Sequence, residues 1–212
     1  TRGDALALAR FESGGSRDDD PLLPTIDALV RHAGLSPSDL GAVAVSVGPG
    51  GFTGLRIAVT ATKCMCDALR IPAIAVPSAL VAARGAVGVG PWLVALASKR
   101  ESTWLTRVAM TDGELVIVGT PGIVTAAELT SEMAAGARTL LADEYVHATI
   151  VESARAAGLV VEAPRFEADA CWRVAFPLLL RGEQVDPMRL APLYPREPEA
   201  VTLWRERHGD GR

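Results

Sequence analysis

The strongest constraint on the fold is a glycine-rich loop, residues 48–56 (GPGGFTGLR), that joins two apolar segments. Residues 42–47 (AVAVSV) before it form a continuous apolar run, which is typical of a strand buried on both faces. Residues 54–69 after it have the composition and spacing of a long helix. The glycines permit backbone angles that other residues rarely reach, and Thr53 is a suitable N-cap. The sequence therefore predicts a buried strand, a tight turn and a helix, as in an α/β fold.

Two interpretations of this loop remain open. Backbone N–H groups at a helix N-terminus bind anions, so the loop would cradle a phosphate. Alternatively, the glycines serve a structural turn that brings the helix close to the sheet. A P-loop is excluded because no GK[ST] follows, and a GxGxxG fingerprint would place its third glycine at Thr53. The candidate residues of this loop motif are Gly48, Pro49, Gly50, Phe52, Thr53, Gly54 and Arg56.

The helix predicted over residues 54–69 is apolar on two opposite sides. Such a helix is normally buried on both sides, so one side packs on the sheet and the other needs a cover. A neighbouring helix, predicted over residues 21–33, or a second protein would supply that cover. We predict a helical interface with a partner, formed by Leu55, Val59, Thr62, Lys63 and Cys66 of this helix and by Ile26 and Leu29 of the preceding one.

The order of elements predicts two lobes. Strands and helices alternate up to residue 87, which is typical of parallel strands joined by right-handed crossovers. The glycine-dense residues 85–91 (GAVGVGP) mark a boundary, so we assign 1–87 to an N-terminal lobe and 88–212 to a C-terminal lobe. The predicted strands cover residues 4–12, 42–47, 72–76, 92–98, 102–110, 114–119, 138–142 and 159–161, and the predicted helices cover 21–33, 54–69, 78–84, 125–135, 151–157 and 169–181.

Several short signals refine these predictions. Asp112-Gly113 is typical of a hairpin turn. Thr125 and Glu128 have the spacing of a capping box, and Ser78 is a suitable N-cap. Gly34 stands where a helix would end.

Composition bounds the partners and the compartment. The net charge is −4 and the isoelectric point about 5.4, which is unlike a chain that grips nucleic acid alone. Cys64, Cys66 and Cys171 have neither a disulfide framework nor a metal-binding spacing, which fits a reducing compartment. No segment is long and apolar enough to span a bilayer and no signal peptide is visible, so we expect a cytoplasmic protein without membrane contact.

Several segments together resemble the TsaB (YeaZ-like) family, formerly grouped with the glycopeptidase-like proteins. Residues 48–69 (GPGGFTGLRIAVTATKCMCDAL) resemble its GPGSFTGLR loop and small-residue helix, and residues 71–83 (IPAIAVPSALVAA) its PxxxVSSL unit. Residues 22–27 (LLPTID) match upstream, and residues 191–196 (APLYPR) resemble the PLYLR tail. The resemblance covers most of the chain.

The resemblance implies an α/β, actin-like (ASKHA) fold of two lobes, each a mixed sheet flanked by helices. It implies a non-catalytic subunit that acts with the catalytic subunit TsaD and the ATPase TsaE. Together they transfer threonylcarbamoyl from threonylcarbamoyl-AMP to N6 of the adenosine 3′ to the anticodon in tRNA. Partner contacts would come from lobe-one helices, and tRNA would be met only through the complex. We expect no catalytic residue, metal or cofactor, apart from weak nucleotide binding at the inter-lobe cleft, and a homodimer when the partner is absent.

Three positions depart from the family pattern. Gly51 replaces a serine of the loop. Ser98 replaces the carboxylate that begins the family's DARRxEVY hairpin motif, here residues 98–104 (SKRESTW). The family's first strand ends in a DTS or ETS turn that would precede Thr1, so we expect the first strand of lobe one to be missing.

Two other function classes remain open. A cytosolic, metal-dependent glycopeptidase-like hydrolase would bind a hard cation at residues 18–20 (DDD). TsaD's HxxxH-type motif has no counterpart here, because His32, His147 and His208 do not pair at i,i+4. A small-molecule kinase of the same fold would require a phosphate loop near the chain start.

Overall fold

The computed structural model describes residues 22–133, 136–196 and 199–209. The strand predicted over residues 4–12, the acidic run 18–20 and the first strand expected to be missing lie outside the described residues. The described helices are α1 Leu22–His32, α2 Phe52–Leu69, α3 Ser78–Gly85, α4 Ala126–Met133, α5 Ala148–Ala156, α6 Ala168–Leu180 and α7 Glu199–His208. The strands are β1 Val43–Gly48, β2 Ala73–Pro77, β3 Trp92–Lys99, β4 Ser102–Thr111, β5 Glu114–Ile117, β6 Gly122–Thr125, β7 Thr139–Ala142 and β8 Val160–Glu162.

The first sheet contains β1 and β2, which pair in parallel from Val43 opposite Ala73 to Ser46 opposite Val76. Its two faces are covered by different helices. One face packs against α2 in a core that contains Val45, Val47, Val59, Cys66, Ala73 and Leu190. The other face packs against α3 and α6. Strands covered on both faces carry apolar residues at successive positions rather than at alternate ones. This confirms the prediction that the apolar run before the glycine-rich loop forms a strand buried on both faces.

The second sheet has the strand order β5-β4-β3-β7-β8, with β6 also paired to β4. Strands β3, β7 and β8 are parallel, and β4 is antiparallel to β3. Helices α4 and α5 pack on one face, where Leu93 and Leu140 are buried with Ile150. The other face, with Val94 and Leu141, joins α3 and α6 in the cluster that also contains Ile74 and Val76 of β2. Helices α3 and α6 therefore share one continuous core with both sheets.

Most of the local signals are confirmed. Asp112 and Gly113 have φ values of 52° and 83°, as a hairpin turn between β4 and β5 requires. The Glu128 carboxylate accepts hydrogen bonds from the backbone N–H and the hydroxyl of Thr125, at 2.7 and 2.9 Å. Gly34 follows α1 with φ 71°.

Two elements and one cap differ from the predictions. Strand β6 and helix α7 were not predicted, since four residues give no clear alternation and the charged end of the chain resembles a solvated tail. Ser78 is the first residue of α3 rather than its N-cap, which is Pro77. The Ser78 hydroxyl instead lies 2.7 Å from the Ser46 hydroxyl of β1. In the described part of the chain, no helix is both long and apolar enough to cross a membrane.

Candidate functional site

The glycine-rich loop turns the chain from β1 into α2. Helix α2 begins at Phe52 because Gly51, with extended backbone at φ −61°, serves as its N-cap. Thr53 therefore lies inside the first turn, and its predicted capping role is wrong. Among the loop glycines only Gly48 has a positive φ, 110°; Gly50 and Gly54 adopt angles open to other residues.

Gly48 also lies where two distant segments come together. A Cβ atom built on Gly48 would be 2.9 Å from the carbonyl oxygen of Leu193 and 3.0 Å from the Leu55 side chain. The neighbouring Val47 carbonyl accepts a hydrogen bond of 2.7 Å from the Leu193 N–H. Gly48 thus provides room for the tail that resembles the family's PLYLR segment, which supports the structural interpretation of this glycine.

Three loop and tail side chains form a cluster next to this crossing. The Nε of Arg56 donates a hydrogen bond of 3.1 Å to the Tyr194 hydroxyl, although the two residues are 138 positions apart. The Arg56 guanidinium carbon lies 3.7 Å from the centre of the Phe52 ring. The Phe52 and Tyr194 ring centroids are 5.3 Å apart. We call Phe52, Arg56 and Tyr194 the arginine clamp.

Four of the residues predicted to form a partner interface on α2 lie on the side of the helix that packs against the first sheet. Leu55, Val59, Thr62 and Cys66 are all buried within the chain, where α2 packs on the first sheet. They form the core side of the helix, so contact with a partner there would require α2 to move away from the first sheet. Helical periodicity identified two apolar sides but not which of them meets the sheet. Lys63, Ile26 and Leu29 are half-buried, and their role in an interface stays a prediction.

The opposite side of α2 faces α1 across a groove of about 550 Å³. This α1–α2 groove is lined by Leu22, Leu23, Pro24, Arg56, Ile57, Thr60, Ala61 and Cys64. Leu23 is 57% exposed and Ile57 is 42% exposed, and no residue of α1 is fully buried. Apolar side chains arranged around a concave surface are typical of a binding site.

The three cysteines differ in chemistry, and this difference can be tested. Cys64 is exposed in the α1–α2 groove, whereas Cys66 and Cys171 are buried. Burial raises the pKa of the Cys66 thiol and raises that of Cys171 to about 11, which keeps both thiols protonated near neutral pH. We expect iodoacetamide to modify Cys64 first in the folded protein, since the thiolate is the reactive form.

Peptide mass spectrometry after brief labelling measures this order. Labelling in denaturant serves as the control, in which all three cysteines should react at similar rates. Modification of Cys66 or Cys171 as fast as Cys64 in the folded protein would contradict the described burial.

His147 and the hairpin motif make local structural contacts in the described residues. His147 caps α5 by accepting the Thr149 N–H at 3.4 Å on Nδ1. The Ser98 hydroxyl donates to the Thr103 hydroxyl at 2.8 Å. No group of three or more His, Cys, Asp and Glu side chains that could hold a metal occurs within the described residues. Residues 18–20, on which the hydrolase alternative depends, lie outside them, so that alternative stays a prediction.

The architecture defines an actin-like α/β protein with two sheets flanked by helices, which confirms the predicted fold class. Two solved chains from Pseudomonas aeruginosa share it. One is described as an uncharacterized protein with similarity to peptidase YeaZ, with a TM-score of 0.66, 22% identity and coverage of 83% of each chain. The other is YeaZ, with a TM-score of 0.64, 22% identity and coverage of 82% of each chain.

A family model described as "TsaD: tRNA N6-adenosine threonylcarbamoyltransferase" matches residues 19–147. This match spans more than half of the chain, and the chain belongs to that family. The predicted resemblance to TsaB is confirmed by two curated relatives that carry this name. The tRNA threonylcarbamoyladenosine biosynthesis protein TsaB of Bacillus subtilis is 39% identical over 56 residues, and the protein of that name in Escherichia coli is 30% identical over 83 residues.

These matches are short. They cover 26% and 39% of this chain, and they span 24% and 36% of the length of the two TsaB proteins. An uncharacterized protein of Mycobacterium tuberculosis is 36% identical over 86 residues, which span 41% of this chain and 40% of that protein.

Proposed function

We propose that this chain is a non-catalytic subunit in the biosynthesis of threonylcarbamoyladenosine in tRNA. It would bind a TsaD-like catalytic subunit and act with a TsaE-like ATPase. The complex would transfer threonylcarbamoyl from threonylcarbamoyl-AMP to N6 of the adenosine 3′ to the anticodon. Membership of the family, the names of the curated relatives and the apolar α1–α2 groove support this proposal.

The α1–α2 groove is the observation that carries the proposal. Helix α1 presents Leu22, Ile26 and Leu29 on a side that is no more than half-buried, and Ile57 of α2 is exposed beside it. Covering such surface is favourable by about 25 cal/mol per Å² of apolar area. A protein partner that inserts a helix between α1 and α2 would gain this energy by ordinary helix packing.

The remaining parts of the proposal follow from the chemistry of the surface. With a net charge of −4, the chain would meet tRNA only through the complex. We propose a cytoplasmic location, no cofactor beyond weak nucleotide binding at the inter-lobe cleft, and a homodimer that uses the α1–α2 groove when the partner is absent.

Placing a charge in the α1–α2 groove should weaken partner binding strongly without unfolding the chain. In Ile57→Lys, the ammonium would lose its hydration on docking, so we expect affinity for the TsaD-like protein of the same organism to fall at least about 30-fold. Isothermal titration calorimetry measures the affinity, and reconstituted formation of threonylcarbamoyladenosine in tRNA measures the function.

Ile123→Lys on β6 is the matched control, because Ile123 is 44% exposed and lies in the other lobe. It should bind and support modification as the unchanged chain does. Equal affinity of Ile57→Lys and the unchanged chain would remove the groove from the proposal. Modification of tRNA by the isolated chain would contradict the non-catalytic role.

A further inference from the structure

Arg56 is the charged residue among those that line the α1–α2 groove in the described part of the chain. Its side chain is held by the arginine clamp: Nε donates to the Tyr194 hydroxyl at 3.1 Å, and the guanidinium stacks on Phe52 at 3.7 Å. An exposed cation–π contact of this kind contributes little to the stability of a fold. The clamp therefore does more to fix the direction of Arg56 than to stabilise the fold.

The segment around Tyr194, residues 190–196, holds the arginine clamp in place, because residues on both sides of Tyr194 contact the rest of the fold. On one side Leu190 is buried in the core beneath α2, and the Leu193 N–H bonds to the Val47 carbonyl at 2.7 Å. On the other side Arg196 donates to the Ser102 hydroxyl oxygen at 3.0 Å, on the β3–β4 hairpin. A tyrosine held at both ends gives Arg56 a fixed hydrogen-bond acceptor.

This arrangement leaves part of the guanidinium group free. Within residues 22–133, 136–196 and 199–209, Arg56 makes one hydrogen bond, through Nε, so the two terminal nitrogens have no hydrogen-bond partner there. A guanidinium presents its N–H groups as a rigid fork that matches the two oxygens of a carboxylate. An arginine that the clamp already orients loses less rotamer entropy on binding a carboxylate than an unrestrained arginine would.

We propose that Arg56 is a preorganised receptor for a carboxylate of the partner. The partner segment would be an apolar helix that fills the α1–α2 groove and presents an Asp or Glu side chain at the Arg56 edge. This inference rests on the proposed function and adds the chemistry by which the partner is selected. A phosphate of RNA would also suit a guanidinium, but the surrounding groove is apolar and the chain carries a net charge of −4, which favour a protein.

Titration of the TsaD-like protein into full-length variants at low and high ionic strength tests the receptor. Arg56→Gln should weaken binding at least about tenfold and should flatten its dependence on salt, because the ion pair is lost. Arg56→Lys keeps the charge without the fork and should show an intermediate loss. Tyr194→Phe keeps the ring but removes the acceptor, and should weaken binding about threefold with the salt dependence retained.

The outcomes separate this inference from the proposed function. If Arg56→Gln binds with unchanged affinity and salt dependence while Ile57→Lys binds at least about 30-fold more weakly, the carboxylate receptor is refuted and the docking groove stands. If both variants bind normally, the receptor and the docking groove are both refuted, and the partner binds elsewhere on the chain; the proposed function itself fails only if the unchanged chain does not bind the TsaD-like protein. If Arg56→Gln binds the partner normally but loses affinity for tRNA, Arg56 contacts RNA instead. Thermal unfolding of each variant checks the fold, and Arg56→Lys carries the test if Arg56→Gln is unfolded.

Discussion

Gly48→Ala should lower the free energy of unfolding by about 2–5 kcal/mol. Two effects add at this position. A backbone with φ 110° is strained by about 1–2 kcal/mol for an L-residue. The new methyl group would also lie 2.9 Å from the Leu193 carbonyl oxygen and 3.0 Å from the Leu55 side chain, and the Leu193 backbone cannot easily move aside, which adds about 1–3 kcal/mol.

Gly54→Ala is the matched control in the same loop motif, and it should have the opposite sign. Gly54 lies in the first turn of α2, its φ is not positive, and a Cβ atom there has no neighbour within 4 Å. Alanine should therefore raise stability by up to about 0.5 kcal/mol, because it loses less backbone entropy on folding. Urea denaturation followed by circular dichroism measures both changes. Equal stability of the two variants would mean that the tail does not cross Gly48 as described.

The Gly48 variant should also affect the arginine clamp. Since the Leu193 N–H bonds to Val47 beside Gly48, a displaced tail would carry Tyr194 away from Arg56. Partner affinity should therefore fall in Gly48→Ala and remain unchanged in Gly54→Ala. Gly48 and Gly54 thus have different structural requirements, although both are glycines of the same motif.

Local chemistry made much of the fold predictable. The apolar run before the glycine-rich loop and the helical spacing of apolar residues after it correspond to β1 and α2 in the structure. The Asp112-Gly113 turn was found because a two-residue hairpin connection demands positive φ at both positions. In each case the residues that determine the local structure lie within a few positions of it in the sequence.

The candidate site was less predictable because its determinants are remote in the chain. Arg56 and Tyr194 are 138 positions apart, and no spacing indicates that they meet. Both belong to motifs that resemble TsaB, so a signal was present, but a motif does not specify its contacts. The packing of α2 on the first sheet shows that Val59 faces the core and that Ile57 faces solvent, and the sequence alone does not show this.

Val59→Asp should destabilise the folded chain by about 3–5 kcal/mol near neutral pH, whereas Ile57→Asp, two residues away, should leave stability within about 0.5 kcal/mol. Val59 is 3% exposed and packs between α2 and the first sheet, so a carboxylate there would lose its hydration without a partner. Ile57 projects into the α1–α2 groove, where water remains available.

The pH dependence distinguishes burial from other causes of the loss. Burial would raise the folded-state pKa of the new carboxyl above its unfolded value of about 3.9. The folded state would then hold the proton more tightly, so the deficit of Val59→Asp should be smallest near pH 4. It should grow as the pH rises towards the folded pKa. Urea denaturation of both variants between pH 4 and pH 7 measures this trend. A Val59→Asp variant as stable as the unchanged chain at every pH would place Val59 in contact with solvent and would restore it to the partner-binding side of α2.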